Sequence, residues 1–133
     1  MKLVAILLQL VISVIVGQTL FFKFSGAEES IYIFKTLGVE LWGRIALGTM
    51  ELVSVILLWI PCTKLYALII AWGMMTGAIA SHLFVLGIEI KGDGGELFIL
   101  GIVTWVSSAV VLFIKRDEVK ALVMKFLAKK HVL

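Results

Sequence analysis

The stretch LWGRIALGTMELVSVILLWI at residues 41–60, the turn Pro61-Cys62-Thr63-Lys64, and LYALIIAWGMMTGAIASHLFVLGI at 65–88 decide the fold. A helix crosses about 30 Å of hydrocarbon in about 20 residues, and both runs reach that length. Pro61 ends the first run, because proline removes a helical N–H and clashes with the preceding turn. The four residues of the turn then send the chain back alongside itself. On either side of this hairpin, Leu3–Phe22 and Leu97–Ile114 are two further runs of the same kind. In lipid every backbone group needs a partner inside its own segment, so all four are helices. The expected architecture is all-α, a transmembrane antiparallel four-helix bundle forming one membrane domain over residues 1–133.

Composition points the same way. The chain is 62% hydrophobic and 16% charged. A soluble domain of this size has no core large enough to hide so much apolar surface, whereas a lipid bilayer takes it up directly. The first run also carries a basic start at Lys2 and small residues at Ser25-Gly26-Ala27, as a cleaved signal peptide would. Its apolar length is about twice a signal-peptide core, so a retained helix is expected.

Orientation follows from the basic residues. With a cytoplasmic amino terminus, Lys2, Lys64, Lys115, Arg116, Lys120, Lys125, Lys129 and Lys130 face inward, and Lys23, Lys35, Arg44 and Lys91 face outward. The positive-inside rule therefore sets both termini of a multi-pass cell (inner) membrane protein in the cytoplasm. Two flanking segments have patterns of their own. Ser25-Gly26-Ala27-Glu28 fits a capping box, Gly38 fits a helix stop, and Ile31, Phe34 and Leu37 share one side, so the outer loop holds a short helix. Its role as a packing lid outweighs that of a gate. Val119, Leu122, Val123, Phe126 and Leu127 follow helical spacing among lysines, which predicts a basic amphipathic helix over 115–131 at the membrane surface. Lys91-Gly92-Asp93-Gly94-Gly95 reads as a flexible polar turn.

Glu51 and His82 are the costly residues within the spans. At 1.5 Å per residue Glu51 lies about 15 Å, and His82 about 9 Å, below the outer surface. Arg44, two turns above Glu51, and Lys23, at the outer end of the first span, supply counter-charges. Gln18 lies one turn below Lys23, and Glu96 opens the fourth span. Near the interface Arg44 and Lys23 read first as structural, since such side chains snorkel. For the deeper Glu51 and His82 a functional site is the preferred reading, because structural glue in membranes is usually Ser, Thr or Gln. Thr104, Ser107 and Ser108 are read as such glue. Gly73-x-x-x-Gly77-x-x-x-Ser81 is a small-residue stripe expected to pack inside the bundle, with a homodimer seam as the alternative.

Several chemistries are excluded. Cys62 is the only cysteine, so the chain has no intramolecular disulfide or Cys-x-x-Cys redox centre. His82 and His131 are the only histidines, and His131 lies in the tail, which removes a bis-histidine haem within one chain. No phosphate loop or serine triad is present, and no metal or nucleic-acid site is expected.

The order Gln18-Thr19-Leu20-Phe21-Phe22-Lys23-Phe24, Trp42-Gly43-Arg44, Glu51-Leu52 and Thr76-Gly77-Ala78-Ile79-Ala80-Ser81-His82 resembles the DoxX and DoxX-like family of small four-helix membrane proteins. The resemblance runs from the first helix to the end of the fourth. Lys23, Arg44, Glu51 and His82 fall on the family's polar pattern, and the basic tail lies outside it. Some proteins of DoxX type are named as subunits of a thiosulfate:quinone oxidoreductase. Others are linked to membrane-associated oxidative-stress complexes, and distant relatives include an assembly chaperone for receptors. Such a spread implies no single activity.

The leading expectation is an outer-leaflet polar pocket of Glu51, His82, Arg44, Lys23, Gln18 and Glu96. It binds a lipophilic ligand, a quinone or lipid-like molecule, as an accessory to membrane redox partners, with no autonomous catalysis and no resident cofactor. The alternative is a non-catalytic assembly or scaffold protein with a structural polar cluster. A proton-coupled transporter ranks third, since four short helices would need a dimer for alternating access.

Overall fold

A computed structural model describes the backbone of residues 1–132 and the side chains of 1–130. The side chain of His131 lies outside the described residues. The chain is all-helical, with no strand among the described residues. Its elements are α1 (Lys2–Ser25), α2 (Glu28–Thr36), α3 (Trp42–Leu58), α4 (Lys64–Ser81) with a terminal π-turn (His82–Leu86), α5 (Glu96–Ile114) and α6 (Arg116–Val132). Helix α1 packs on α3 and α5, and α4 packs on the same two helices.

Among the described residues, three helical segments are long and apolar enough to cross a membrane: Lys2–Ser25, Lys64–Leu86 and Glu96–Ile114. The fourth expected span is shorter than its sequence suggested. Helix α3 has 17 residues, about 25 Å of rise, because Leu41 leaves helical geometry at one end and Trp59 at the other. Leu41, with φ 69° and ψ −65°, has the geometry of a γ-turn that is strained for a residue with a Cβ. Gly43 is required just beyond it, since a Cβ there would lie 2.7 Å from Val39 Cγ2.

The molecule is apolar outside and partly polar inside. Leu7, Val14, Val53, Ile69, Val106 and Phe113 are exposed, whereas Gln9, Arg44, Glu51, Ser54, His82, Thr104, Ser107 and Ser108 are buried. That inversion suits a lipid surround, where apolar side chains need no cover and polar ones do. At the end carrying the chain termini, Ala5, Ile12, Val16, Leu58, Ala67, Leu68 and Val111 form a continuous core. Trp59 Nε1 donates to Ser13 Oγ at 2.9 Å, tying α3 to α1 there.

Two local expectations are corrected. Ser25 does not cap α2; it ends α1, and Gly26 closes that helix in the left-handed region with φ 70°. The Ala27 N–H then bonds the Phe22 carbonyl at 3.0 Å, so a helix stop occupies the place of the capping box. The Gly73–Gly77 stripe is not covered by another helix of the chain. Both glycines are exposed, and a Cβ at either would meet open space. Gly38, with φ 78°, does end α2.

Candidate functional site

A cavity of about 560 Å³ lies at the end opposite the termini. Residues of α1, α3, α4, the π-turn and α5 line it, and Glu29, Ser30, Ile33 and Phe34 bring α2 to its wall. Helix α2 turns Phe34 and Ser30 inward, so the predicted lid covers a space rather than a filled core. Most of the lining is apolar, including Ile15, Met75, Leu97 and Leu100, and its size falls within the range of small-molecule sites. Exposed Gln18, Phe22, Gly77 and Glu96 also belong to the lining, so the cavity opens to the surroundings.

Glu51 and His82 both line this cavity, reaching it from different helices. Glu51 is 1% exposed. Its partner is Lys23, whose Nζ lies 3.1 Å from Oε2. Beyond this ion pair, Oε2 has no hydrogen-bond partner among the described residues. Close approach of α1 and α3 permits the pair. A Cβ on Gly48 would come within 3.1 Å of the Phe24 ring and 3.6 Å of Lys23 Cβ.

His82 opens the π-turn, where Gly87 N–H bonds the His82 carbonyl at 2.8 Å. The wider turn re-aims the side chains that follow, which is a recurrent use of π-bulges. His82 Nδ1 lies 2.9 Å from the Ala78 carbonyl. A carbonyl only accepts, so Nδ1 carries a proton, and Nε2 accepts when the ring is neutral and donates when it is charged. Nε2 is buried with no partner among the described residues. The ring lies 5.6 Å from that of Phe98, which fixes one of its faces.

The remaining predicted residues divide. Lys23, Gln18 and Glu96 line the cavity; Arg44 does not. Arg44 is turned away from Glu51. Its Nε bonds Glu40 Oε1 at 3.0 Å, and its Nη1 donates to the Lys23 carbonyl at the end of α1. The i,i+4 carboxylate and the open carbonyls of a helix end are nearer acceptors than a group two turns below. Arg44 thus holds the backbone that carries Lys23.

Sequence reasoning missed Thr19, Glu29, Ser30 and Asp93, all of which line the cavity. Asp93 corrects the reading of 91–95 as a flexible turn. Its Oδ1 accepts the N–H groups of Ile90 at 2.9 Å and Gly95 at 2.8 Å, and Oδ2 accepts that of Leu97 at 3.2 Å. Burial pushes its carboxyl up, but the three N–H donors, aided by the charge of His82, hold it below its ordinary value. The Asp-Gly-Gly run was the available signal, since Asp in turns bonds its own following backbone. Lys91 joins the same loop to α2, with Nζ 3.4 Å from Glu28 Oε1 and 5.5 Å from the centre of the Tyr32 ring.

A sequence model of the DoxX-like family matches residues 6–91. The chain belongs to the DoxX-like family. No match was found among curated proteins or among solved structures. In this DoxX-like protein the matched region contains Gln18, Lys23, Arg44, Glu51 and His82, and stops short of Asp93, Glu96, α5 and α6. The family pattern therefore supplies three walls, from α1, α3 and α4, and the lid of the cavity, while α5 closes it from outside that pattern. No group of three or more metal-ligating side chains occurs among the described residues. Chemically, the site offers an ammonium donor at Lys23, an acceptor at Glu51, and an imidazole nitrogen that accepts when neutral and donates when protonated.

Proposed function

We propose that this DoxX-like protein is an inner-membrane antiparallel bundle of α1, α3, α4 and α5, with both termini cytoplasmic, that binds a lipophilic ligand of the quinone class in its outer-leaflet cavity. It acts as an accessory to membrane redox partners and carries out no catalysis of its own. One observation carries the reading: Glu51 and His82 line a single cavity, and each keeps hydrogen-bonding capacity that the described residues leave unused. Buried polar atoms without partners are costly, and a ligand bearing polar oxygens on an apolar body relieves that cost. Neutral His82 Nε2 accepts from a quinol hydroxyl, and its protonated form donates to a quinone carbonyl. Lys23 is the second donor. The exposed rim at Gln18, Phe22 and Gly77 supports entry along the helix flanks.

The test is equilibrium binding of a decyl-substituted benzoquinone and its quinol to the detergent-purified protein. Glu51→Gln and His82→Ala each weaken binding about tenfold, the scale of removing one hydrogen bond from a buried site. Gly101→Leu, which adds bulk where the cavity wall is open, abolishes binding with the helices intact. Unchanged affinity in Glu51→Gln and His82→Ala, both still folded, would sink the proposal.

The Lys23–Glu51 pair favours a second reading, in which the cluster clasps α1 to α3 and the protein serves as an assembly factor. Under that reading a stoichiometric membrane partner co-purifies in mild detergent. It is lost on altering α2 or α6, and Glu51→Gln leaves it in place.

A further inference from the structure

At the opposite end of the molecule the α3–α4 turn and the α5–α6 elbow enclose a second groove, of about 430 Å³. Three lysines from separate stretches of chain converge on it: Lys64 at the start of α4, Lys115 between α5 and α6, and Lys125 two turns along α6. The lining holds one acid, Glu118, whose Oε2 lies 3.5 Å from Lys115 Nζ. It therefore carries two more positive than negative charges. Leu65 and Leu122 supply apolar walls, and Tyr66 adds an amphipathic ring.

We infer that this groove binds the phosphodiester headgroup of one anionic phospholipid. Charge complementarity is the first argument. Three ammonium groups around a concave surface match a phosphodiester, and neither Lys64 nor Lys125 has an ion-pair partner among the described residues. Position is the second argument. Two apolar segments, Lys64–Leu86 and Glu96–Ile114, have their ends at this groove, so it lies at the level of lipid phosphates. Basic pockets at that level are recurrent headgroup sites. The third argument is the neighbouring surface. Val123, Met124, Phe126 and Leu127 on α6 are exposed apolar side chains, suited to contact acyl chains beside a held headgroup. The site rests on the membrane reading of the chain but not on the ligand of the first cavity; five of its nine lining residues, between Pro61 and Tyr66, fall within the family-matched region, and Lys115, Glu118, Leu122 and Lys125 fall outside it.

The test uses the full chain in detergent, titrated with phosphatidylglycerol or phosphatidylcholine and read by native mass spectrometry. One phosphatidylglycerol binds in preference to phosphatidylcholine. Lys64→Gln, Lys115→Gln and Lys125→Gln weaken that binding roughly fivefold per lysine, the scale of one basic side chain at an anionic surface. A control triple, Lys120→Gln with Lys129→Gln and Lys130→Gln, removes the same charge outside the groove and changes affinity less than about twofold. Glu118→Gln removes the opposing charge and tightens binding about twofold or more. Equal weakening by the two triples, equal binding of the two lipids, or no gain in Glu118→Gln would overturn the site. Displacement of the lipid by millimolar inorganic phosphate would assign the groove to a free anion and overturn the lipid as its occupant. Quinone binding by the groove variants separates this outcome from the fate of the first cavity, since it stays at the wild-type level in all of them.

Discussion

At the end of the molecule that carries the termini, Ile12, Leu58, Leu68 and Val111 form one core, and Gln9, Ser54, Ser107 and Ser108 are buried as well; at the other end Arg44, Ser30, Glu51 and His82 are buried, and the last three line a cavity. Polar groups at the first end are uncharged, from the serines to the fully buried Gln9. Gln9 Nε2, Ser54 Oγ and Ser108 Oγ have no partner among the described residues, but a neutral group costs less to bury than a charge. At the second end each charge has a stated counterpart, Lys23 for Glu51 and Glu40 for Arg44. Polarity in this core is thus of two kinds. One kind fills space between helices, and the other lines space that a ligand can enter.

Breaking the ion pair is the strongest way to probe that contrast. Lys23→Met leaves Glu51 buried without its counter-charge and destabilises the protein by about 3–5 kcal/mol, measured by denaturant unfolding in detergent. Adding Glu51→Gln restores most of the loss. If the second substitution restored nothing, the pair would not be what holds this end together.

Large-to-small changes compare the two ends directly. Leu68→Ala, in the packed end, costs about 2–5 kcal/mol. Leu100→Ala borders space that already exists and costs less than half of that. Similar losses at the two positions would mean that the cavity is closed in solution.

Removing Asp93 tests the rim. Asp93→Ala frees three N–H groups and costs about 1 kcal/mol, as the loss of a helix cap does. The carboxyl is held below the usual value of about 4. Its contribution is therefore complete above that range and lost as pH falls through the lowered value. Unfolding midpoints of wild type and variant differ at neutral pH and converge in acid. The smallest effect is at Leu41, outside both ends of the contrast. Leu41→Gly relieves a strained backbone and raises stability by about 1 kcal/mol or less, since glycine's entropy cost offsets part of the relief.

Much of the site was legible because cost is visible in sequence. Glu51 and His82 stand out in apolar runs, and a rise of 1.5 Å per residue puts them, with Lys23, Gln18 and Glu96, toward one end. The partner of each charge was not legible. Arg44 shares a helix face with Glu51, yet its guanidinium goes to Glu40 and the Lys23 carbonyl. Asp93 stayed hidden among glycines, because a turn residue shows no periodicity. The glycine stripe of α4 was read as a packing seam, and small residues do permit close approach. Permission is not contact, and Gly73 and Gly77 face open space.

Residue order alone established that the chain is helical and suited to lipid, that its ionisable residues gather toward one end, and that its tail is a basic helix. Those conclusions depend on hydrophobicity, spacing and charge along one strand of chain, which neighbours in space do not alter. It took the packed helices to show that Lys23 rather than Arg44 meets Glu51, that α2 roofs a cavity, and that three lysines share a groove at the far end. Each of these depends on how closely two helices approach and which way a turn aims a side chain, and helix crossings set those distances at a scale that residue order does not encode locally.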